Sequence, residues 1–240
     1  MSRPQQQQVA VQCRSVTRYF GNGDLRTCVL GGIDLDVLAG DITLLVGPSG
    51  CGKTTLISII AGILVPDQGE VEVFGTRIAD LAGARATRFR GANIGLVLQQ
   101  FNLLPALTVA ENVAVPLLLQ GHRQRVANAR AVKLLEELGL GSHANRRPSE
   151  LSMGQQQRVA IARALIHEPR LVICDEPTAM LDAAAGSDVM QLLRRVALRP
   201  ERAVIIVTHD NRILPYADRI ATMSDGRITD LEINMNRKAA

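Results

Sequence analysis

Short apolar runs alternate with helix-length segments along most of this 240-residue chain. Residues 9–16 and 33–37 alternate apolar and polar side chains, as half-buried strands of an antiparallel edge sheet do. Continuous apolar runs, which are typical of strands covered on both faces, occupy residues 42–46, 94–98, 171–174 and 203–208. The order of these segments predicts an α/β fold with a mostly parallel core sheet and an antiparallel edge sheet.

Helical patterns dominate the middle of the chain. Thr108 and Glu111 fit a capping box, in which each side chain binds the other residue's backbone N–H at the start of a helix. Pro116 and Gly121 are expected to interrupt this helix, since proline lacks a backbone donor. A helical block between strands predicts an inserted helical lobe over about residues 100–165.

The loop that follows the run 42–46 carries the most specific motif. Residues 47–54 fit the phosphate-loop pattern G-x-x-x-x-G-K-[ST], and they are Gly47, Pro48, Ser49, Gly50, Cys51, Gly52, Lys53 and Thr54. Glycines allow the backbone to curl until its N–H groups point at phosphates, and the N-terminus of the helix predicted at 54–63 adds to the attraction. We predict ATP binding here, with Lys53 on the β- and γ-phosphates, Thr54 on Mg²⁺ and Thr55 near the α-phosphate.

Polar side chains come directly after three of the buried runs. They are Gln99, the pair Asp175 and Glu176, and His209. The carboxyl ends of parallel strands meet at one edge of a sheet, where α/β proteins bind ligands. We predict that Asp175 binds Mg²⁺ and that Glu176 is the general base for water. Gln99 is predicted to bind Mg²⁺ and orient the attacking water, and His209 to take part in catalysis.

Two further motifs have both a structural and a functional interpretation. Ser152 precedes a helix that runs to about residue 167, so it can cap that helix or form a second anion site with the helix N-terminus. Tyr19 and Phe20 precede a glycine loop, where an aromatic ring can stack on adenine or pack at the sheet edge. The residues alone leave both alternatives open.

Composition narrows the class of protein. The longest apolar stretches, such as residues 56–65, are too short to cross a bilayer. Residues 1–8 lack the apolar core of a signal peptide and predict a short disordered tail, so we expect a cytoplasmic protein. A net charge of +4 with 2% aromatic residues does not favour a nucleic-acid surface, and no nucleic-acid partner is expected.

In this order, the motifs resemble the nucleotide-binding subunit of an ABC transporter over nearly the whole chain. Residues 151–155 resemble the family signature L-S-G-G-Q, with Met153 in place of its first glycine. Methionine would be strained there if the position required a positive φ. The resemblance implies a single P-loop NTPase domain of ABC type over residues 1–240, with ATP and Mg²⁺ as cofactors. It also implies hydrolysis by a homodimer.

The resemblance assigns further residues to ATP. It places Ser152, Gly154 and Gln155 on the ATP of the opposite subunit, and Asp182 in contacts across the dimer. It makes Phe20 the adenine-stacking residue, with Tyr19 in reserve.

Residues 99–105, 147–151 and 208–214 resemble the branch that includes macrolide-efflux and lipoprotein-releasing ATPases, and within it the DevA-type exporter ATPases. This implies export through a separate transmembrane permease subunit, a position on the inner face of the cell membrane, and in many members a periplasmic adaptor. A soluble ABC-type ATPase with a non-membrane partner is the alternative. The transported substrate is not encoded here, because the permease supplies its pocket.

Overall fold

The strands form two sheets in the computed structural model, which describes residues 7–234. One sheet is built from β1 (Val9–Phe20), β2 (Thr27–Leu38), β4 (Gln68–Val73) and β5 (Thr76–Arg77). The other is built from β3 (Ile42–Val46), β6 (Ile94–Val97), β7 (Leu171–Asp175), β8 (Ala203–Thr208), β9 (Arg219–Ser224) and β10 (Arg227–Ile233).

The two sheets differ in strand direction. The first has the order β2-β1-β4-β5 and is antiparallel, and the second has the order β10-β9-β3-β8-β7-β6. In the second sheet neighbouring strands are parallel except for the pair β9 and β10. The predicted α/β fold, with its mostly parallel core sheet and antiparallel edge sheet, is confirmed.

Helices cover the sheets and fill the middle of the chain. They are α1 (Lys53–Ile60), α2 (Ala84–Asn93), α3 (Val109–Leu119), α4 (Gln124–Glu137), α5 (Met153–Leu165) and α6 (Ala183–Ala197). Within the predicted lobe, α3 packs on both α4 and α5. One hydrophobic core therefore joins these helices to the six-stranded sheet.

The parallel strands are buried on both faces, which explains their continuous apolar runs. In β7, Val172 and Cys174 belong to the core under the lobe helices, whereas Leu171 and Ile173 belong to the core shared with α1 and the antiparallel sheet. Successive side chains of a strand point to opposite faces, so each run supplies both cores.

At the start of the helical lobe, one prediction from the sequence is confirmed and another is wrong. Thr108 Oγ1 accepts a hydrogen bond from the Glu111 N–H at 3.2 Å, and Glu111 Oε2 accepts one from the Thr108 N–H at 2.8 Å. The predicted interruption at Pro116 is wrong, because α3 continues through it to Leu119. Proline removes only one backbone donor, and the buried apolar side chains on either side of it hold the helix in place.

The predicted tail of residues 1–8 lies mostly outside the described residues. Where it is described, Gln7 Nε2 donates to Asp41 Oδ1 at 2.8 Å, and the Gln8 carbonyl accepts from the Ala39 N–H at 2.9 Å. The prediction of disorder is therefore wrong for these two residues. Between residues 7 and 234, no helix combines the length and apolar character needed to cross a membrane.

Candidate active site

Neighbouring strands of the six-stranded sheet bring the predicted residues to one edge. The carboxyl ends of β3, β8, β7 and β6 lead into the phosphate loop, His209, Glu176 and Gln99. A cavity of about 330 Å³ lies at this edge. Its lining consists of Val29, Ser49, Gly50, Gly52, Lys53, Thr54, Thr55, Gln99, Asp175, Glu176, Val207 and His209.

The phosphate loop is packed so tightly that two of its positions accept only glycine. Gly47 has φ 154°, and a Cβ there would lie 2.1 Å from the Met223 carbonyl oxygen. Gly52 has φ 101°, and its Cβ would lie 2.7 Å from the Val29 carbonyl oxygen. Any larger residue would have to displace backbone atoms, so these glycines fix the curl of the loop.

Lys53, the first residue of α1, is buried within the loop. Its Nζ donates to the carbonyl oxygens of Gly47 at 2.7 Å and Pro48 at 2.8 Å, and it lies 3.8 Å from Cys51 Sγ. These contacts hold a positive charge at the floor of the site. That charge suits a phosphate ligand.

Thr54 and Asp175 provide adjacent oxygen atoms at the cavity wall. Thr54 Oγ1 donates to Asp175 Oδ2 at 3.3 Å. Burial raises the pKa of the Asp175 carboxyl, with a smaller contribution from the neighbouring Glu176 charge, and the Thr54 hydrogen bond and Lys53 act in the opposite direction. A hydroxyl and a carboxylate are hard oxygen ligands of the kind Mg²⁺ takes, together with phosphate oxygens and water. The residues therefore fit the predicted metal.

We expect Asp175→Asn to stabilise the nucleotide-free chain while removing Mg²⁺-dependent activity. Because the folded-state pKa of Asp175 is raised, the native state binds more protons than the unfolded state above the ordinary value of 3.8, so stability falls as the pH rises through the raised pKa. Removal of this buried charge should raise the free energy of unfolding at neutral pH and flatten its dependence on pH. Urea titrations at several pH values measure this. An unchanged pH slope or a less stable variant contradicts the prediction.

Glu176 and His209 form a short polar pair at the wall of this cavity. His209 Nδ1 and Glu176 Oε1 are 2.6 Å apart, and Glu176 Oε2 is buried without a hydrogen-bond partner among the described residues. Glu176 has φ 51°, an unfavourable backbone conformation that surrounding contacts must stabilise. One such contact is the hydrogen bond that its N–H donates to the Val207 carbonyl at 2.9 Å. One carboxylate oxygen is thus fixed by the histidine, and the other is left for a proton donor.

A second concavity, of about 520 Å³, contains the other predicted ATP residues. Ser152 is the N-cap of α5 and Asp182 is the N-cap of α6, and Gly154 and Gln155 line the same space. Ser152 Oγ accepts from the Gln155 N–H at 3.3 Å, and Gln155 Oε1 accepts from the Ser152 N–H at 2.9 Å. The interpretation of Ser152 as the N-cap of α5 is therefore confirmed. The two concavities share no lining residue.

Comparison with known proteins gives the family. The sequence model of the family described as ABC transporter matches residues 30–179. The chain belongs to the ABC transporter family. The prediction of an ABC-type ATP-binding subunit is confirmed at this level.

Individual relatives agree with this assignment. The lipoprotein-releasing system ATP-binding protein LolD of Shewanella frigidimarina is 41% identical, and the match covers 92% of this chain and 93% of LolD. An uncharacterised ABC transporter ATP-binding protein of Mycobacterium tuberculosis is 44% identical over 90% of this chain, which spans only 64% of that relative. A dimeric, post-hydrolysis structure of the ATP-binding cassette MJ0796 bound to ADP and Pi has a TM-score of 0.85 at 36% identity, covering 93% of this chain and 98% of its own.

Met153, which departs from the ABC signature, is not strained. It is the first residue of α5 with a negative φ, and its side chain is exposed. Because the position is helical but lies in the first turn, we expect Met153→Gly to lower the free energy of unfolding by less than about 1 kcal/mol, the cost of glycine in a helix interior. Thermal unfolding of the two proteins measures this. A more stable glycine variant would mean that the methionine is strained after all.

The predicted adenine-stacking residue lies at the sheet edge. Phe20 ends β1 with its ring 41% exposed, and the Arg18 guanidinium lies 4.9 Å from the ring centroid. The ring of Tyr19 is covered by Arg26 at 4.2 Å. Neither aromatic lines the 330 Å³ cavity. The choice of Phe20 over Tyr19 stays a prediction.

Two residues of the cavity wall and one pair of side chains were not predicted from the sequence. Val29 and Val207 lie inside strands, where nothing in the pattern separates a wall residue from a core residue. The bond between Glu176 and His209 depends on β7 and β8 being neighbours, which their spacing along the chain does not reveal. The order of the strands in the sheet would have been needed to predict this side-chain pair.

Proposed function

We propose that this chain is the ATP-hydrolysing subunit of an ABC transporter. The observation that carries the proposal is the pair of Glu176 and His209 in the same cavity as Lys53, Thr54 and Asp175. A phosphate-binding loop, a pair of metal-ligand oxygens and a histidine-bound carboxylate are the groups that phosphoryl transfer to water requires.

The reaction is hydrolysis of the bond between the β- and γ-phosphates. Water attacks the γ-phosphorus, the bond to the bridging oxygen breaks to leave ADP, and Glu176 takes the proton from water. His209 holds Glu176 through Oε1, which leaves Oε2 for that proton, and Lys53 balances the charge of the phosphates. Gln99 orients the water. Mg²⁺, held by Thr54, Gln99 and Asp175, would neutralise charge on the phosphates.

Two copies of the chain complete each site in this proposal. Ser152 and the α5 N-terminus are suited to bind an anion, but within one chain they line a concavity separate from the phosphate loop. In a dimer they would face the γ-phosphate held by the other copy, with Asp182 at the same interface. The dimeric form described for the MJ0796 cassette supports this arrangement.

The partner in this proposal is a transmembrane permease. A groove of about 790 Å³ lies between the end of α1, α2, α3 and α5, and its lining includes the exposed side chains of Ile63 and Leu119. Exposed apolar surface of this kind marks interaction sites. We assign a cytoplasmic helix of the permease to this groove, which places the chain on the inner face of the membrane.

The direction of transport is export. The likeness to LolD, a lipoprotein-releasing system component, supports an exporter. The periplasmic adaptor stays a prediction from the sequence. The resemblance to DevA-type exporter ATPases stays a prediction from the sequence, and it does not name the transported substrate.

The test is ATP hydrolysis by the purified chain at several concentrations, with and without Mg²⁺ and with and without the co-purified permease. We expect Mg²⁺-dependent hydrolysis that rises more steeply than linearly at low concentration, because each site needs two chains, and stimulation by the permease, which raises their effective concentration. Linear dependence without stimulation would favour the soluble, self-contained ATPase.

A further inference from the structure

The loop that carries Gln99 contains two residues in an unfavourable backbone conformation. Phe101 has φ 52° and Asn102 has φ 47°. A left-handed conformation costs a bulky residue such as Phe101 about 1 kcal/mol or more, whereas asparagine tolerates it better, so surrounding contacts must hold Phe101 in particular. Burial of the Phe101 ring in the lobe core is one such contact.

Arg163, in the last turn of α5, supplies another. Its Nη1 donates to the Asn102 carbonyl and its Nη2 donates to the Phe101 carbonyl, each at 2.6 Å. The planar fork of a guanidinium matches two adjacent acceptors, which the single ammonium of lysine cannot bind in the same way. Burial lowers the pKa of Arg163, and the two charge-assisted hydrogen bonds offset the lost hydration.

The far end of the loop is held from α3. The fully buried Asn112 accepts from the Leu104 N–H at 2.7 Å and donates to the Leu104 and Thr108 carbonyls, each at 3.0 Å. Asn112 therefore fixes residues 104–108. Arg163 fixes residues 101 and 102, which are nearer to Gln99.

The same helix connects Arg163 to the signature residue. Ser152 caps the N-terminus of α5, and Arg163 lies near its C-terminus. The 13 residues of α5 span about 20 Å as a rigid rod. The N-terminal end of α5 thus carries Ser152, which is proposed to face the ATP of the partner copy. The C-terminal end holds the loop of Gln99, which belongs to the active site of the same chain.

We propose that Arg163 is a positioning residue for ATP hydrolysis, which fixes the Gln99 loop to the helix that carries Ser152. This rests on the proposed function of the site. When two copies close on ATP, a force on Ser152 passes along α5 to Gln99. Without Arg163 the loop relaxes from its left-handed turn, and Gln99 no longer orients water.

The test compares Arg163→Met, Arg163→Lys and the control Arg130→Met in the full chain. Arg130 is matched because its Nη2 also donates to a carbonyl at the end of α5, that of Ile166 at 3.4 Å, but its charge pairs with Glu168 at 3.9 Å rather than with the loop. We expect Arg163→Met to lower kcat about tenfold, with a change of less than about threefold in binding of a fluorescent ATP analogue. Arg163→Lys should lie between Arg163→Met and the wild type, and the control should match the wild type.

Hydrogen exchange of the nucleotide-free proteins gives a readout that needs no activity. In Arg163→Met, amide exchange should rise several-fold in residues 99–103 and stay unchanged in residues 153–162 and at Leu104, which Asn112 holds. Equal exchange in the loops of Arg163→Met and Arg130→Met would overturn the proposal. So would faster exchange along all of α5, because Arg163 would then only stabilise its helix. A wild-type chain without ATP hydrolysis would refute the proposed function, and the exchange result would still decide the role of Arg163 in holding the loop.

Discussion

Replacement of Glu176 with glutamine is expected to reduce ATP turnover by a factor of about 100 or more while ATP binding is retained. Glutamine has nearly the same shape and can still bond to His209, which lies 2.6 Å from Glu176 Oε1. Its amide cannot take a proton from water, so only the chemical step is lost. The variant should also accumulate as an ATP-bound dimer. Phosphate release measures turnover, and size-exclusion chromatography with ATP measures dimerisation.

Glu137→Gln is a matched control for this prediction, since the Glu137 side chain is exposed on α4 and lies outside the cavity. It should leave both measurements unchanged. Turnover in Glu176→Gln equal to that of the control would remove Glu176 from the role of general base.

The second large effect is expected for Ser152→Arg. Ser152 is exposed at the N-terminus of α5, where the proposed dimer places the γ-phosphate of the partner's ATP. Arginine would fill that space, so turnover should fall below detection while each single chain still binds ATP through its own phosphate loop. Steady-state hydrolysis and binding of a fluorescent ATP analogue measure the two effects separately.

Ser152→Ala separates loss of the helix cap from obstruction of the site. Alanine removes the hydrogen bond to the Gln155 N–H, which costs about 1 kcal/mol of stability, but adds no bulk. Its turnover should exceed that of Ser152→Arg by a wide margin. A dimeric, fully active Ser152→Arg protein would show that Ser152 faces no nucleotide.

The sequence was most informative where a local pattern determines the structure. The predicted runs 42–46 and 203–208 coincide with β3 and β8 at both ends, because strands covered on both faces carry apolar side chains at nearly every position. The phosphate loop was predictable for a similar reason, since its conformation requires glycine at fixed positions.

Features that depend on tertiary packing could not be predicted in this way. Proline usually ends a helix, yet burial of α3 in the lobe outweighs the loss of one hydrogen bond at Pro116. Arg163 follows an ordinary helical pattern, and only the fold brings its guanidinium to the carbonyls of Phe101 and Asn102. Spacing along the chain contains no record of these contacts.

We propose that each active site is shared between two copies of the chain, and mixing two inactive variants tests this directly. Lys53→Met removes the phosphate-binding charge of one chain, and Ser152→Arg blocks the signature residue of the other, so each variant alone should be inactive. In an equal mixture, half of the dimers are mixed, and each mixed dimer has one complete site out of two. Mixing should therefore restore about a quarter of the wild-type rate. A mixture as inactive as its two components, although mixed dimers form, would contradict it.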